Sequence, residues 1–318
     1  MNISLLEPLG VPEELIQELA EPIKKAGHSF TYYSTKTTDL EELKKRTKGQ
    51  EVVMIANNKY PREVIESADK LRLIAVAFTG IDHVDTEACK EKGIAVANCS
   101  GYSNICVAEQ AVGMAISLLR FFPEGDSTVR SGGTSQGLTG TELGGKRVGI
   151  IGCGEIGTMT AKLFLAFGCD VVAYARHERP LVKALGVKYV PLDELLSTSD
   201  IVSLHTPNNA STKGMIGKRE LSLMKKTAIF INCARGPIVD NQALSDALNE
   251  GLIAGAGIDV FDMEPPLAAD YPLLHAKNTL LTPHVAYLTK EAMVRRAHIE
   301  FSNVLAYLEG KPQNICEL

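Results

Sequence analysis

Six residues, Gly152-Cys-Gly154-Glu-Ile-Gly157, constrain this 318-residue chain more than any others. They follow Val148-Gly-Ile-Ile, an apolar run of strand character, and open the amphipathic stretch Ile156–Phe167. In that setting each glycine has a separate task. Gly152 permits a tight turn, Gly154 lets backbone approach a pyrophosphate, and Gly157 lets the helix pack closely on the strand. The helix N-terminus, with Glu155 and Ile156 in its first turn, then presents free amides to phosphate charge. A glycine pattern of this length arises often by chance, and a plain strand-to-helix turn is the competing reading. The strand before it and the helix after it favour a dinucleotide site.

The rest of the chain keeps the same alternation. Strands are predicted at Asn2–Leu6, Ser29–Tyr33, Val52–Ala56, Leu71–Val76 and Ile94–Val96, with helices at Pro12–Ala26, Asp39–Lys48 and Asp85–Lys92. A second series of strands covers Arg147–Ile151, Asp170–Tyr174, Ile201–Leu204, Ala228–Asn232, Ala254–Asp259 and Leu280–Thr282. Helices at Glu155–Gly168, Lys218–Met224 and Asn241–Glu250 lie between them. Ser103 or Asn104 can cap a helix whose apolar positions form one stripe. The Gly-, Ser- and Thr-rich stretch Glu124–Gly145 reads as an irregular arm with one helical turn near Ser127–Arg130. A long helix from about Thr289 to Gly310 closes the chain. Such alternation predicts an α/β protein with doubly wound parallel sheets, and at about 150 residues per domain the length predicts two domains.

Composition excludes several classes. With Lys+Arg 33 against Asp+Glu 38, the net charge of −5 lacks the basic excess that tracks nucleic-acid phosphates. The seven cysteines are odd in number and include no CxxC pair, so neither a zinc site nor a disulfide framework is indicated. A reducing, cytoplasmic setting is the expectation. The first residues show no basic region leading into an apolar run, so no signal peptide is expected. The longest apolar run, Ala111–Leu119, is far short of the ~20 residues that span a bilayer, and no membrane association is expected.

Three further segments carry chemistry. They are Asn232-Cys-Ala-Arg235-Gly-Pro-Ile-Val-Asp240, Asp259-Val-Phe-Asp-Met-Glu264-Pro-Pro, and Thr282-Pro-His284-Val-Ala. Each begins where a predicted strand ends, the edge at which open parallel sheets bind ligands. An arginine can hold a carboxylate through two parallel hydrogen bonds. A histidine can give or take a proton near neutral pH, and a neighbouring glutamate can orient it and favour its charged form. Each residue also has a plain reading: a surface arginine, a strand-ending glutamate, a packed histidine. Their shared placement beside a dinucleotide fingerprint favours the chemical one.

In this order and spacing, together with Thr79-Gly-Ile-Asp-His-Val-Asp85, Val107-Ala-Glu109 and Leu204-His-Thr-Pro207, the segments resemble the D-isomer-specific 2-hydroxyacid dehydrogenase family over nearly the whole chain. The resemblance implies two Rossmann-like domains, the substrate domain discontinuous (residues 1–100 and 289–318) and the dinucleotide-binding domain inserted (residues 101–288), with the active site in the cleft. It implies that Arg235 binds the substrate carboxylate and polarises the keto group, that His284 is the acid/base, and that Glu264 is the histidine's partner. Backbone amides around Gly80 and Ile81 would help hold the carboxylate. Thr206, Pro207, Cys233 and Ala234 would line the cofactor, and Asp259 would lie near the nicotinamide amide. The implied reaction interconverts a small 2-keto acid and a D-2-hydroxy acid with NAD(P), without a metal, in a homodimer. The alternative from another class is a nucleotide-sensing binding protein similar to the corepressors of this family.

Departures sharpen the reading. Glu264 argues against formate dehydrogenases, which carry glutamine there. With the sequence ending at Leu318, the regulatory domain of many phosphoglycerate dehydrogenases is not expected. Tyr287 stands where many relatives have a small residue, and the chain has no tryptophan. The strand Asp170–Tyr174 should end in an acidic residue that bonds the ribose 2′-OH. Ala175 stands there instead, followed by Arg176, His177, Glu178 and Arg179. Without a carboxylate to repel a 2′-phosphate, and with a guanidinium to attract one, NADPH is expected to be favoured over NADH.

Overall fold

The computed structural model describes Met1–Leu318 and divides into two compact units, Met1–Ser103 with Leu288–Leu318, and Asn104–Tyr287. In chain order the first unit contains β1 (Asn2–Leu5), α1 (Glu13–Lys25), β2 (Ser29–Tyr32), α2 (Leu40–Thr47), β3 (Val52–Ile55), α3 (Arg62–Ser67), β4 (Leu73–Val76), α4 (Thr86–Lys92) and β5 (Ala95–Asn98). The second unit opens with α5 (Asn104–Leu119) and α6 (Phe122–Arg130). It continues through β6 (Arg147–Ile151), α7 (Glu155–Ala166), β7 (Asp170–Tyr174), α8 (Pro180–Ala184), β8 (Lys188–Tyr189), α9 (Leu192–Thr198) and β9 (Ile201–Leu204). It ends with α10 (Lys218–Leu223), β10 (Ile229–Asn232), α11 (Asn241–Asn249), β11 (Gly255–Ile258) and β12 (Thr279–Leu281). The last helix, α12 (Lys290–Leu308), belongs to the first unit.

The first unit is built on a parallel sheet of order β2-β1-β3-β4-β5. β3 and β4 are buried along their whole length, so Val-Val-Met-Ile and Leu-Ile-Ala-Val read as continuous apolar runs rather than alternating ones. Helix ends are fixed by local chemistry. Asp39 and Asp85 each accept the backbone N–H three residues on, and Gly93 closes α4 in the left-handed conformation that its missing Cβ permits. The strand order reverses between β1 and β3, and the carboxyl ends of the strands carry Glu7, Asn58, Phe78–Ile81 and Cys99.

The second unit is a seven-stranded parallel sheet of order β12-β11-β10-β9-β6-β7-β8. Its reversal falls between β6 and β9, placing the Gly152 turn beside His205–Pro207. Both sheets are wholly parallel and covered by helices, as the alternation predicts. Strands β6, β7 and β9 start and end at the predicted residues. β8, only two residues long, is too short to carry a readable period, and the helices α3, α8 and α9 are not among those predicted. One expectation is corrected. The arm after Leu119 contains not a single turn but the nine-residue α6, which begins before Pro123. A proline in the first helical turn needs no hydrogen-bond acceptor, and an Arg130–Asp126 pair one turn apart supports the other end.

Candidate active site

The glycine turn has the geometry the fingerprint requires. Gly152 has φ 93°, and a Cβ there would lie 2.7 Å from the His205 carbonyl oxygen. At Gly157 a Cβ would lie 2.0 Å from the Gly152 oxygen, so only glycine lets α7 start this close to β6. Gly154, by contrast, faces open space, with nothing within 4 Å of the position a Cβ would take. The first amides of α7, from Glu155 onward, have no intrahelical acceptors, as at any helix start. Thr206 lies against the turn, its methyl 2.8 Å from where a Cβ on Gly152 would sit, and its buried hydroxyl has no partner. An open glycine, free helix amides and an orphaned hydroxyl fit a dinucleotide pyrophosphate.

The segment after β7 settles where its charges go. Arg179 donates to the Glu155 carboxylate at 2.6 Å, and Lys183 pairs with Glu178. Arg176 has a hydroxyl for a partner rather than a carboxylate. Its Nη2 donates to Ser211 Oγ at 2.7 Å, and Ser211 Oγ donates to Asn209 Oδ1 at 2.7 Å. Ala175 is half-buried at the strand end and Pro207 is exposed on the loop after β9. Cys233 is buried with its thiol 3.9 Å from Met114 Sδ, and burial pushes that thiol well above its ordinary range. It is a packing residue in the turn after β10, with Ala234 half-buried beside it.

The three catalytic candidates belong to loops at the carboxyl edge of this sheet. Arg235 follows β10, where the Asn232 side chain clasps the turn. Asn232 Nδ2 donates to the Arg235 carbonyl at 3.1 Å, and its Oδ1 accepts the Ala234 N–H at 2.9 Å. The next residue must be glycine, since a Cβ at Gly236 would sit 1.8 Å from the Phe261 carbonyl carbon. The Arg235 loop therefore lies directly on the loop that carries Glu264. Glu264 reaches His284 from the other side, with Oε1 and Oε2 at 2.9 and 3.2 Å from Nδ1. That contact assigns Nδ1 to the carboxylate and leaves Nε2 as the ring nitrogen not engaged by Glu264. The edge of the His284 ring also meets Tyr287, with centroids 5.6 Å apart at 89°.

His284 has φ 55°, a left-handed conformation that is uncommon for any residue but glycine. Asp259 maintains it. This fully buried carboxylate accepts from Thr282 Oγ1 at 2.5 Å and from the amides of Val285 and Ala286, both at 2.9 Å. The Asp259 carbonyl accepts the His284 amide at 2.8 Å. The family resemblance puts Asp259 beside the cofactor. The structure commits its side chain to the backbone of the histidine loop, a duty that nothing in the spacing signals. A second histidine near the edge, His205, cannot compete as proton carrier. Burial lowers its pKa to about 4, and its Nε2 is 2.8 Å from Ser203 Oγ.

Gly80 and Ile81 lie in the first unit, on the loop that leaves β4. Both are half-buried, and neither backbone amide donates to a protein acceptor.

Comparisons with known proteins bear on the family to which the chain belongs. Residues 112–286 match the family described as D-isomer specific 2-hydroxyacid dehydrogenase, NAD binding domain. A hydroxypyruvate reductase of Blautia hydrogenotrophica is 36% identical over 300 residues, covering 92% of this chain and 93% of that protein. A glyoxylate reductase of Thermofilum pendens is 38% identical over 279 residues, covering 85% of this chain and 82% of its own. Among solved structures, an acyclic imino acid reductase in complex with NADPH and D-Arg superposes with a TM-score of 0.89, at 29% identity and full coverage of both chains. Glycine turn, arginine loop and Glu264–His284 pair thus stand in a chain that belongs to the D-isomer-specific 2-hydroxyacid dehydrogenase family.

Proposed function

We propose that this 2-hydroxyacid dehydrogenase reduces a small 2-keto acid to a D-2-hydroxy acid, with NADPH preferred over NADH. The Glu264–His284 contact carries the reading, because a histidine held by a carboxylate at Nδ1 is equipped to deliver a proton from Nε2. Arg235 holds the substrate carboxylate and draws electron density from the keto oxygen, with the free amides of Gly80 and Ile81 as further donors to the carboxylate. His284 protonates the oxygen as the carbonyl carbon is reduced, and Glu264 stabilises the imidazolium before that transfer. The nicotinamide cofactor, when bound, supplies the hydride. Gly152, Gly154, Gly157 and the amides of Glu155 and Ile156 would hold its pyrophosphate, and Thr206, Pro207 and Ala234 would lie along it.

Arg176 supports the choice of NADPH. It extends from the strand end that lacks an acidic residue, its neighbouring charges are neutralised in pairs, and its hydroxyl partner leaves its charge uncompensated. Glyoxylate, hydroxypyruvate and pyruvate assayed with both reduced cofactors test the reading. Turnover of at least one keto acid with a higher kcat/KM for NADPH is expected. No turnover of any keto acid would sink the enzyme assignment, and a clear NADH preference would sink the cofactor choice alone. Arg176→Ala should weaken NADPH use far more than NADH use, whereas equal losses would mean that the guanidinium merely stacks on adenine.

A further inference from the structure

The loop Phe78-Thr79-Gly80-Ile81 is gripped from α12 along two routes. On the first, the Arg296 guanidinium carbon lies 4.8 Å from the centroid of the Phe78 ring, and Nη2 of the same group donates to the Leu9 carbonyl. On the second, Asn303 Nδ2 donates to the Asn98 carbonyl at 2.8 Å, and Asn98 Nδ2 donates to the Thr79 carbonyl at 2.9 Å. The routes are tied together at Cys99, whose amide donates to the Phe78 carbonyl at 2.9 Å and whose Sγ is 3.7 Å from the Arg296 carbonyl.

Arg296 is an expensive residue to place here. It is 4% exposed, its Nε has no partner, and Glu300, one turn further along α12, is 0% exposed with neither carboxylate oxygen hydrogen-bonded. Glu7, the other acidic neighbour, spends Oε1 on the amides of Ala56 and Asn58 at 2.7 and 2.8 Å. A buried guanidinium without a bidentate carboxylate contributes little ion-pair stability, and an apolar side chain of similar size would pack at lower cost. What the guanidinium does provide is a flat cationic face under Phe78 and a fixed bond to Leu9.

We propose that Arg296 is a positioning residue for substrate binding, fixing through Phe78 the loop whose Gly80 and Ile81 amides take the substrate carboxylate. The proposal rests on the carboxylate-binding assignment of that loop made above. It distinguishes Arg296 from the cofactor machinery, which lies wholly in the other unit.

Three variants of the full-length chain test it: Arg296→Met, Arg296→Lys, and Phe78→Leu, which leaves every charge in place should Arg296→Met not fold. Arg296→Met or Phe78→Leu should raise the keto-acid KM by about tenfold while kcat stays within about threefold and the KM for the nicotinamide cofactor is unchanged. Arg296→Lys should recover part of the loss. In the protein without substrate, amide hydrogen exchange over residues 78–84 should accelerate by about tenfold, with the β6–α7 turn unaffected. Unaltered exchange in that loop, or kcat and cofactor KM changing as much as keto-acid KM, would overturn the proposal. A loosened loop in a chain that reduces no keto acid would retain the positioning and reject the function. Turnover with an unaltered loop would do the reverse.

Discussion

Imidazole, guanidinium and carboxylate divide the work at the sheet edge by their hydrogen bonds. On the proposed reading, with Nδ1 of His284 occupied by Glu264, loss of the ring would remove the group that protonates the keto oxygen, and loss of Arg235 would remove the anchor for the substrate carboxylate. His284→Ala and Arg235→Ala should each lower kcat/KM by about 10²- to 10⁴-fold, the range typical of proton transfer by a positioned side chain. Far-UV circular dichroism should be unchanged, and near-normal kcat/KM in either variant would refute its assignment. Asp259→Asn is expected to act differently. It leaves one acceptor oxygen where two now serve a hydroxyl and two amides, so the left-handed His284 loses support while its own chemistry is intact. Misplacement of this kind can cost about 10² in rate, and kcat should fall by that order with a lowered unfolding midpoint. An unchanged kcat would show that the loop holds its shape without Asp259. Arg235, Glu264 and His284 are legible in the sequence because their chemistry is specific and their strands are predictable. Asp259's hold on residues 282–286 is not, since it depends on how two loops approach across the sheet edge.

Strands and helices of ordinary length announce themselves through their periods, and glycines through their contexts. Gly152 and Gly157 fit a strand–turn–helix pattern that geometry then explains by near-collisions at 2.7 and 2.0 Å. The need for glycine at position 236 cannot be foreseen, because the colliding atom belongs to Phe261, a loop away. Helix α12 shows the same limit: its extent is readable, but burial of Arg296 and Glu300 within it reverses the usual placement of charge. That burial has a consequence for stability. Burial pushes the Glu300 carboxyl well above the ordinary glutamate range, Arg296 opposes the shift, and Glu7 adds to it. Cys99 and Lys36 are the other ionisable groups coupled to this cluster. With its folded value raised above the unfolded one, Glu300 contributes stability that is fully present below the unfolded value and is lost as pH rises towards the folded value. Glu300→Gln is neutral at every pH and should flatten this slope. In urea titrations between about pH 5 and about pH 8, wild-type stability should fall with pH more steeply than that of the variant. A smaller slope should persist from Glu7, which burial raises in the same direction. Equal slopes in both proteins would mean that Glu300 is ionised in the fold.

At the scale of the whole molecule, the family assignment and the parallel sheets leave α6 as the element whose place is unexplained within one chain. None of its nine residues is buried, while Phe122 is 56% exposed and Val129 73% exposed. A helix this short gains little from backbone propensity and owes its stability to packing of an apolar face. Within Asn104–Tyr287 Phe122 and Val129 are left uncovered, and apolar side chains held in the open on one face of an ordered helix suit an association surface. We therefore expect a homodimer in which α6 is covered by a second copy of the chain. Sedimentation at micromolar concentration should give twice the chain mass of 34.3 kDa. Val129→Asp places a charge on the same face and should shift the equilibrium towards monomer without altering the glycine turn or the histidine loop. A wild-type mass near 34.3 kDa would reject the dimer, and a variant that remains fully dimeric would move the interface away from α6.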